Sequence, residues 1–181
     1  MEVTPVFERA FAKLYGKSCW GVWKGIGSSL TLNFGKPYLE IREPIVAGPK
    51  ASKRVRELLA RRGATVKGDW RLWIYCCDWE ILQKGKRFSK SSSPDERIER
   101  TAGLLDGEKL VRFTLVPKGL HCIFEFDLGS ILRTRPFSRT HEQWLLYEPT
   151  GKVLVLRADK RYSHHPSNRP DNKKDWKPVQ V

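Results

Sequence analysis

The stretch WRLWIYCCDWEI, residues 70–81, holds three tryptophans, a tyrosine and two adjacent cysteines, and its reading decides the fold. In an extended chain Trp70, Leu72, Ile74 and Cys76 face one side while Trp73, Tyr75, Cys77 and Trp79 face the other. Both sides are apolar, whereas a strand with one solvated face alternates. The pattern predicts a central strand covered on both faces, by a second sheet layer on one side and a helix on the other. Adjacent cysteines on a strand point in opposite directions, so they do not share one ion without a bulge. There is no C-x-x-C and no His pair at helical spacing, and the expectation is reduced, metal-free thiols acting as small hydrophobes. Asp78 interrupts the run and needs a partner if buried, Arg71 or a helix N-terminus being the candidates.

Working toward the N-terminus, Gly63 is expected to end a short helix over residues 52–62. Val55, Leu58 and Leu59 give that helix an apolar face, and Lys53, Arg54, Arg56, Arg61 and Arg62 make the rest basic. Residues 44–49 read as the loop before it. Leu30, Leu32 and Phe34 alternate with polar residues, Gly35-Lys36-Pro37 looks like a turn, and residues 38–42 return, which predicts a hairpin. The first segment reads as a helix with Thr4 as N-cap, Pro5 at its first position, and Phe7, Ala10, Phe11 and Leu14 as its stripe; Gly16 follows its end.

Toward the C-terminus, Ser93-Pro94-Asp95-Glu96 predicts a third helix with Ser93 as N-cap, a first-position proline and two carboxylates near its positive end. Ile98, Ala102 and Leu105 form its stripe and Gly107 stops it. Strands follow at residues 110–116 and 120–128 around Pro117-Lys118-Gly119, and at 142–147 and 152–157 around Pro149-Thr150-Gly151. The expected class is α+β with a mainly antiparallel sheet (curled, closed as a barrel, or a sandwich) and about three short helices. Residues 1–159 are expected to form a single domain, and 160–181 a polar, flexible tail apart from Trp176.

The chain has 181 residues and a formal net charge of +14. Such an excess favours polyanionic partners without choosing among them. The first fifteen residues lack an apolar core of the signal-peptide type and no apolar run approaches a membrane span. Four cysteines without a disulfide-scaffold spacing point to a reducing, cytoplasmic setting. No cofactor is implied. Gly16-Lys17-Ser18 resembles the end of a P-loop, but Phe11 stands where its first glycine belongs, and Gly25-Ile26-Gly27 lacks a third glycine.

One enzyme-like pattern stands out: His121, Glu125 and Asp127 share a face in the segment 121–127, two carboxylates for Mg²⁺ beside a potential base. The same spacing is the polar side of an ordinary half-exposed strand. A second lead is arginine-rich: Arg133, Arg135 and Arg139 surround Phe137 in a segment expected to be a loop, and the helix carrying Lys53, Arg54 and Arg56 offers another patch. These seven residues are the expected partner-binding set. The preferred expectation is a small, non-catalytic basic binding module for an acidic protein partner, in an adaptor or immunity-type role. The alternatives are a nucleic-acid-binding protein, and a metal-dependent nuclease or phosphoesterase using Glu125 and Asp127.

Overall fold

The computed structural model describes residues 5–116 and 118–180. In chain order the elements are α1 (Pro5–Ala12), β1 (Cys19–Lys24), β2 (Leu30–Arg42), α2 (Lys53–Leu59), β3 (Gly63–Ile74), β4 (Asp78–Gln83), β5 (Lys86–Lys90), α3 (Asp95–Ala102), β6 (Leu110–Val116), β7 (His121–Phe126), β8 (Ser130–Arg135), β9 (Glu142–Tyr147), β10 (Lys152–Arg157), β11 (Arg161–Pro166) and β12 (Lys177–Pro178). The strands make two sheets, one ordered β1-β2-β3-β9-β10-β11-β12 and the other β5-β4-β8-β7-β6. The described residues form an α+β architecture with mostly antiparallel sheet, three short α-helices and no closed barrel.

Residues 70–81 are the seam between the two sheets rather than one central strand. Trp70, Leu72 and Ile74 end β3 and point into the interior from the seven-stranded sheet. Tyr75-Cys76-Cys77 then crosses over, and Trp79 and Ile81 point into the same interior from β4. The inward parity switches from even to odd at the crossing, which is why both faces of the stretch read as apolar. The crossing is pinned to β9: Gln143 O accepts from Tyr75 N at 2.9 Å and from the Cys77 thiol at 3.3 Å, and Glu142 O accepts from Cys76 N at 3.1 Å. Asp78 is exposed, and its partner is the Ser91 hydroxyl at 3.1 Å, not Arg71.

The inner faces of both sheets share one hydrophobic cluster. α1 seals it, because Phe7, Ala10, Phe11 and the following Leu14 present the apolar stripe expected from their spacing. Phe11 stacks on Phe113 at 3.8 Å between ring centroids and meets Trp144 edge-on at 5.5 Å. Ile98 and Ala102 of α3 and the following Leu105 are buried in the same cluster.

Several boundaries differ from expectation. Gly35-Lys36-Pro37 does not reverse the chain: β2 runs straight through it, paired with β3 from Leu30↔Ile74 to Arg42↔Gly63, with a bulge between Phe34 and Pro37. Gly35 supplies a positive φ of 76° at the bulge, and Asp69 accepts from Lys36 N at 3.1 Å. Gly63 opens β3 instead of ending a helix, and α2 stops at Leu59 with no buried residue, so Val55 and Leu58 stay exposed. Ser93 does not cap α3; its hydroxyl accepts from Lys90 N at 3.1 Å, and Pro94 holds the N-cap position. β1, β5 and β8 had no counterpart in the sequence reading. Thr4 and Pro117 lie outside the described residues.

The segment from residue 160 is not a loose tail throughout. Arg161–Pro166 pairs along β10, from Leu156↔Tyr162 to Lys152↔Pro166. Beyond it the chain folds back: Trp176 packs against the cluster of Leu145, Val153 and Val155, and Val179 is buried. His164 and His165 therefore sit on opposite faces of a strand. His164 Nε2 meets Glu148 Oε1 at 2.9 Å, and His165 Nδ1 lies 2.9 Å from the Ser163 hydroxyl.

Candidate binding surfaces

The expected arginine loop is mostly strand. Arg133 and Arg135 alternate outward on β8, and only Phe137 and Arg139 lie in the connection to β9. On this outer face Arg133 lies 3.6 Å from Glu80, which Arg87 also contacts at 2.6 Å. Shared with Arg87, the Glu80 carboxylate offsets part of the charge that the sequence assigned to the group. Arg135 and Arg139 have no ion-pair partner among the described residues. Phe137 is exposed and stacks on His141, 6.2 Å between centroids.

The second basic group is on another sheet's appendage. Lys53 and Arg54 are exposed on α2, whereas Arg56 is tied to the preceding loop through Ala51 O at 3.0 Å and Pro49 O at 3.2 Å. The seven expected contact residues are thus divided between β8 with its following loop and α2.

Glu125 and Asp127 hold structure together. Glu125 accepts both arms of the Arg112 guanidinium, the shortest contact being 2.7 Å, across the Arg112↔Glu125 register pair. Asp127 falls in the turn after β7 and accepts from Lys109 N at 2.8 Å. Among the described residues no three His, Cys, Asp or Glu side chains gather as a metal site would. Burial pushes the Cys77 thiol well up from its ordinary value and the Cys122 thiol up to about 12, so both stay protonated at neutral pH.

Two features were missed by sequence reasoning. The first is an arm: beyond the bulge, residues 37–42 of β2 pair only with residues 63–68 of β3, and α2 hangs on its end. Arg42 fastens that helix by donating to Leu58 O at 2.8 Å, Leu59 O at 3.3 Å and Arg61 O at 3.1 Å. No residue between 35 and 67 is buried. Yet Leu39, Ile41, Ile45, Val46, Val55, Leu58 and Val66 are all exposed there, Val46 at 97%.

The second is a groove of about 650 Å³ between the arm and the outer face of the seven-stranded sheet. Register builds its floor. One row runs Trp23↔Thr31↔Trp73↔Leu145, the next Asn33↔Arg71↔Tyr147. The rows continue into Val155 and Val153 of β10, where Trp176 covers them. Glu40, Arg42, Thr65 and Lys67 of the arm form the wall, with Lys67 paired to Glu40. The Arg71 guanidinium lies over the Tyr147 ring, 4.2 Å from its centroid.

The signal for the groove was present in residues 70–81. The apolar outer face of Trp73 and Tyr75 was read as a covered face, but Tyr75 is exposed and Trp73 only half-buried. Comparison of the chain with family models, with curated proteins and with solved structures gives no match.

Proposed function

We propose that the protein is a non-catalytic binding module that engages an acidic protein partner through its arm. One observation carries the reading: residues 35–67 bury nothing, yet they expose seven large aliphatic side chains. Exposed apolar groups of that extent, set among charges, mark contact surfaces. The charge decides what kind of partner fits. Residues 36–69 carry nine Lys and Arg against four Asp and Glu, a net +5. A second copy placed on the same patch would bring like charges together, which costs affinity. An acidic protein with apolar anchors matches both features.

Lys53 and Arg54 are the steering charges, and Leu58 with Val46 the apolar centre. Rim charges act mainly on association, buried anchors on dissociation. The adaptor or immunity-type role rests on this surface and on the overall charge of +14. The test is binding by Lys53→Glu/Arg54→Glu and by Leu58→Asp. The helix has no buried residue, so both variants should keep the parent's stability within about 0.5 kcal/mol. The charge variant should bind more slowly, and the Leu58 variant should dissociate faster. Unchanged kinetics in both would remove the arm from the interface.

A further inference from the structure

The groove on the other side of the arm has a different chemistry. Along the arm Glu40 and Arg42 face the groove, while Leu39 and Ile41 alternate away from it. Inside, the lining is mainly indole and phenol faces, with Ile26 and Val66 at its edges. Trp23 is 54% exposed and Tyr75 39%, and Trp73 lies two strands from Trp23 with the small Thr31 between. Two strand spacings put the Trp23 and Trp73 Cα atoms about 9–10 Å apart, and the Trp73 ring meets Tyr75 at 4.4 Å between centroids, extending the aromatic surface.

The charge is positive. Arg42, Lys67 and Arg71 face one carboxylate, Glu40. Lys67 is paired with that carboxylate and Arg42 is spent on backbone carbonyls, so Arg71 is the cation positioned to grip a ligand. Its stacking on Tyr147 fixes the plane of the fork, leaving its edge for an anionic oxygen. Flat aromatic platforms in a row beside a fixed arginine, in an open cleft within the roughly 300–1,000 Å³ of ligand sites, are what unpaired bases and their phosphates require.

We propose that this groove binds a short stretch of single-stranded nucleic acid, one base stacked on Trp23, the next on Trp73, with a phosphate on Arg71. A duplex does not fit the same logic, because its base faces are already stacked. The groove shares Val66 with the exposed aliphatics of the arm but is not lined by Lys53, Arg54, Val46 or Leu58, so either reading stands if the other fails.

The experiment is fluorescence anisotropy with a labelled oligothymidine decamer at low salt, alongside quenching of the intrinsic tryptophan emission. The wild-type protein should bind the decamer, quench, and weaken with added salt by a log–log slope of about −0.7 per phosphate neutralised. Trp23→Ala and Arg71→Ala, each confirmed folded by denaturation, should each weaken binding roughly tenfold or more. Val111→Ser, at an exposed position of β6 in the five-stranded sheet, should bind the decamer like the wild type. Equal binding by the Trp23 and Arg71 variants would overturn the proposal. So would a duplex or thymidine monophosphate bound as tightly as the decamer, or no binding of the decamer at all.

Discussion

At the scale of single residues, Gly35 decides where the arm leaves the sheet. It adopts φ of 76° at the bulge, where its carbonyl accepts from Trp20 Nε1 at 3.1 Å, and a Cβ added there would collide with the Asp69 carboxylate. Gly35→Ala should therefore destabilise by about 1–3 kcal/mol, from backbone strain and loss of the Asp69 contact to Lys36. Urea denaturation checks this, and a neutral result would contradict the bulge. His165 makes a second prediction. Burial, then the charges of Lys174 and Arg169, hold its pKa below the ordinary imidazole value, with Glu142 opposing them more weakly. Its folded form resists protonation, so its contribution to stability is complete above the unfolded value near 6.5 and falls as pH drops below that. Stability measured from about pH 7.5 down to about pH 5.5 should decline, and His165→Gln should flatten the decline. A parent curve as flat as the variant's would place His165 in contact with solvent.

At the scale of elements, the crossing at Tyr75–Cys77 separates tryptophans that the sequence treats alike. Trp79 is buried and donates to Ser28 O at 2.6 Å, whereas Trp73 is half-buried on the groove floor. Trp79→Ala should cost about 3–5 kcal/mol and Trp73→Ala about half of that or less, measured by chemical denaturation. Equal costs would restore a single strand covered on both sides. Elements whose pattern was local and complete were legible. The helical stripes of Phe7, Phe11 and Leu14, and of Ile98 and Ala102, and the strands at 142–147 and 152–157 all stand where the sequence places them. Elements set by tertiary context were not. A glycine-proline pair marks a bulge as readily as a turn, and only the partner strand distinguishes them. β8 was hidden because arginines alternating with Leu132 and Thr134 look like a loop until Glu80 and Ile123 stand beside Arg133. Likewise Lys, Asn and Asp after residue 160 dilute the composition, although Ser163 and His165 are buried there.

At the scale of the whole molecule, the two sheets divide the labour. Their shared interior holds Trp144, Phe7 and Phe11 and gives the fold its stability, while the arm leaves that interior and contributes none of its side chains to it. The net charge of +14 favours polyanionic partners, and the residues the sequence offers for them fall on two separate surfaces, β8 with its following loop and α2. Arginine density in the sequence does not reveal that Glu80 partly neutralises Arg133 or that Arg56 holds a loop. Exposed aliphatics on a basic arm are visible only once burial is known. No helix among the described residues is long and apolar enough to cross a membrane.

The central claim is that the arm, and not the arginine face of the five-stranded sheet, holds an acidic protein. Its most direct test uses three immobilised proteins in nuclease-treated extract at physiological salt: the parent, Lys53→Glu/Arg54→Glu/Leu58→Asp, and Arg133→Glu/Arg135→Glu. Bound proteins are identified by mass spectrometry and their affinity is then measured with purified material. An acidic protein should be retained by the parent and the sheet variant and lost from the arm variant. Retention by the arm variant at the parent's affinity, or loss from the sheet variant alone, would contradict it.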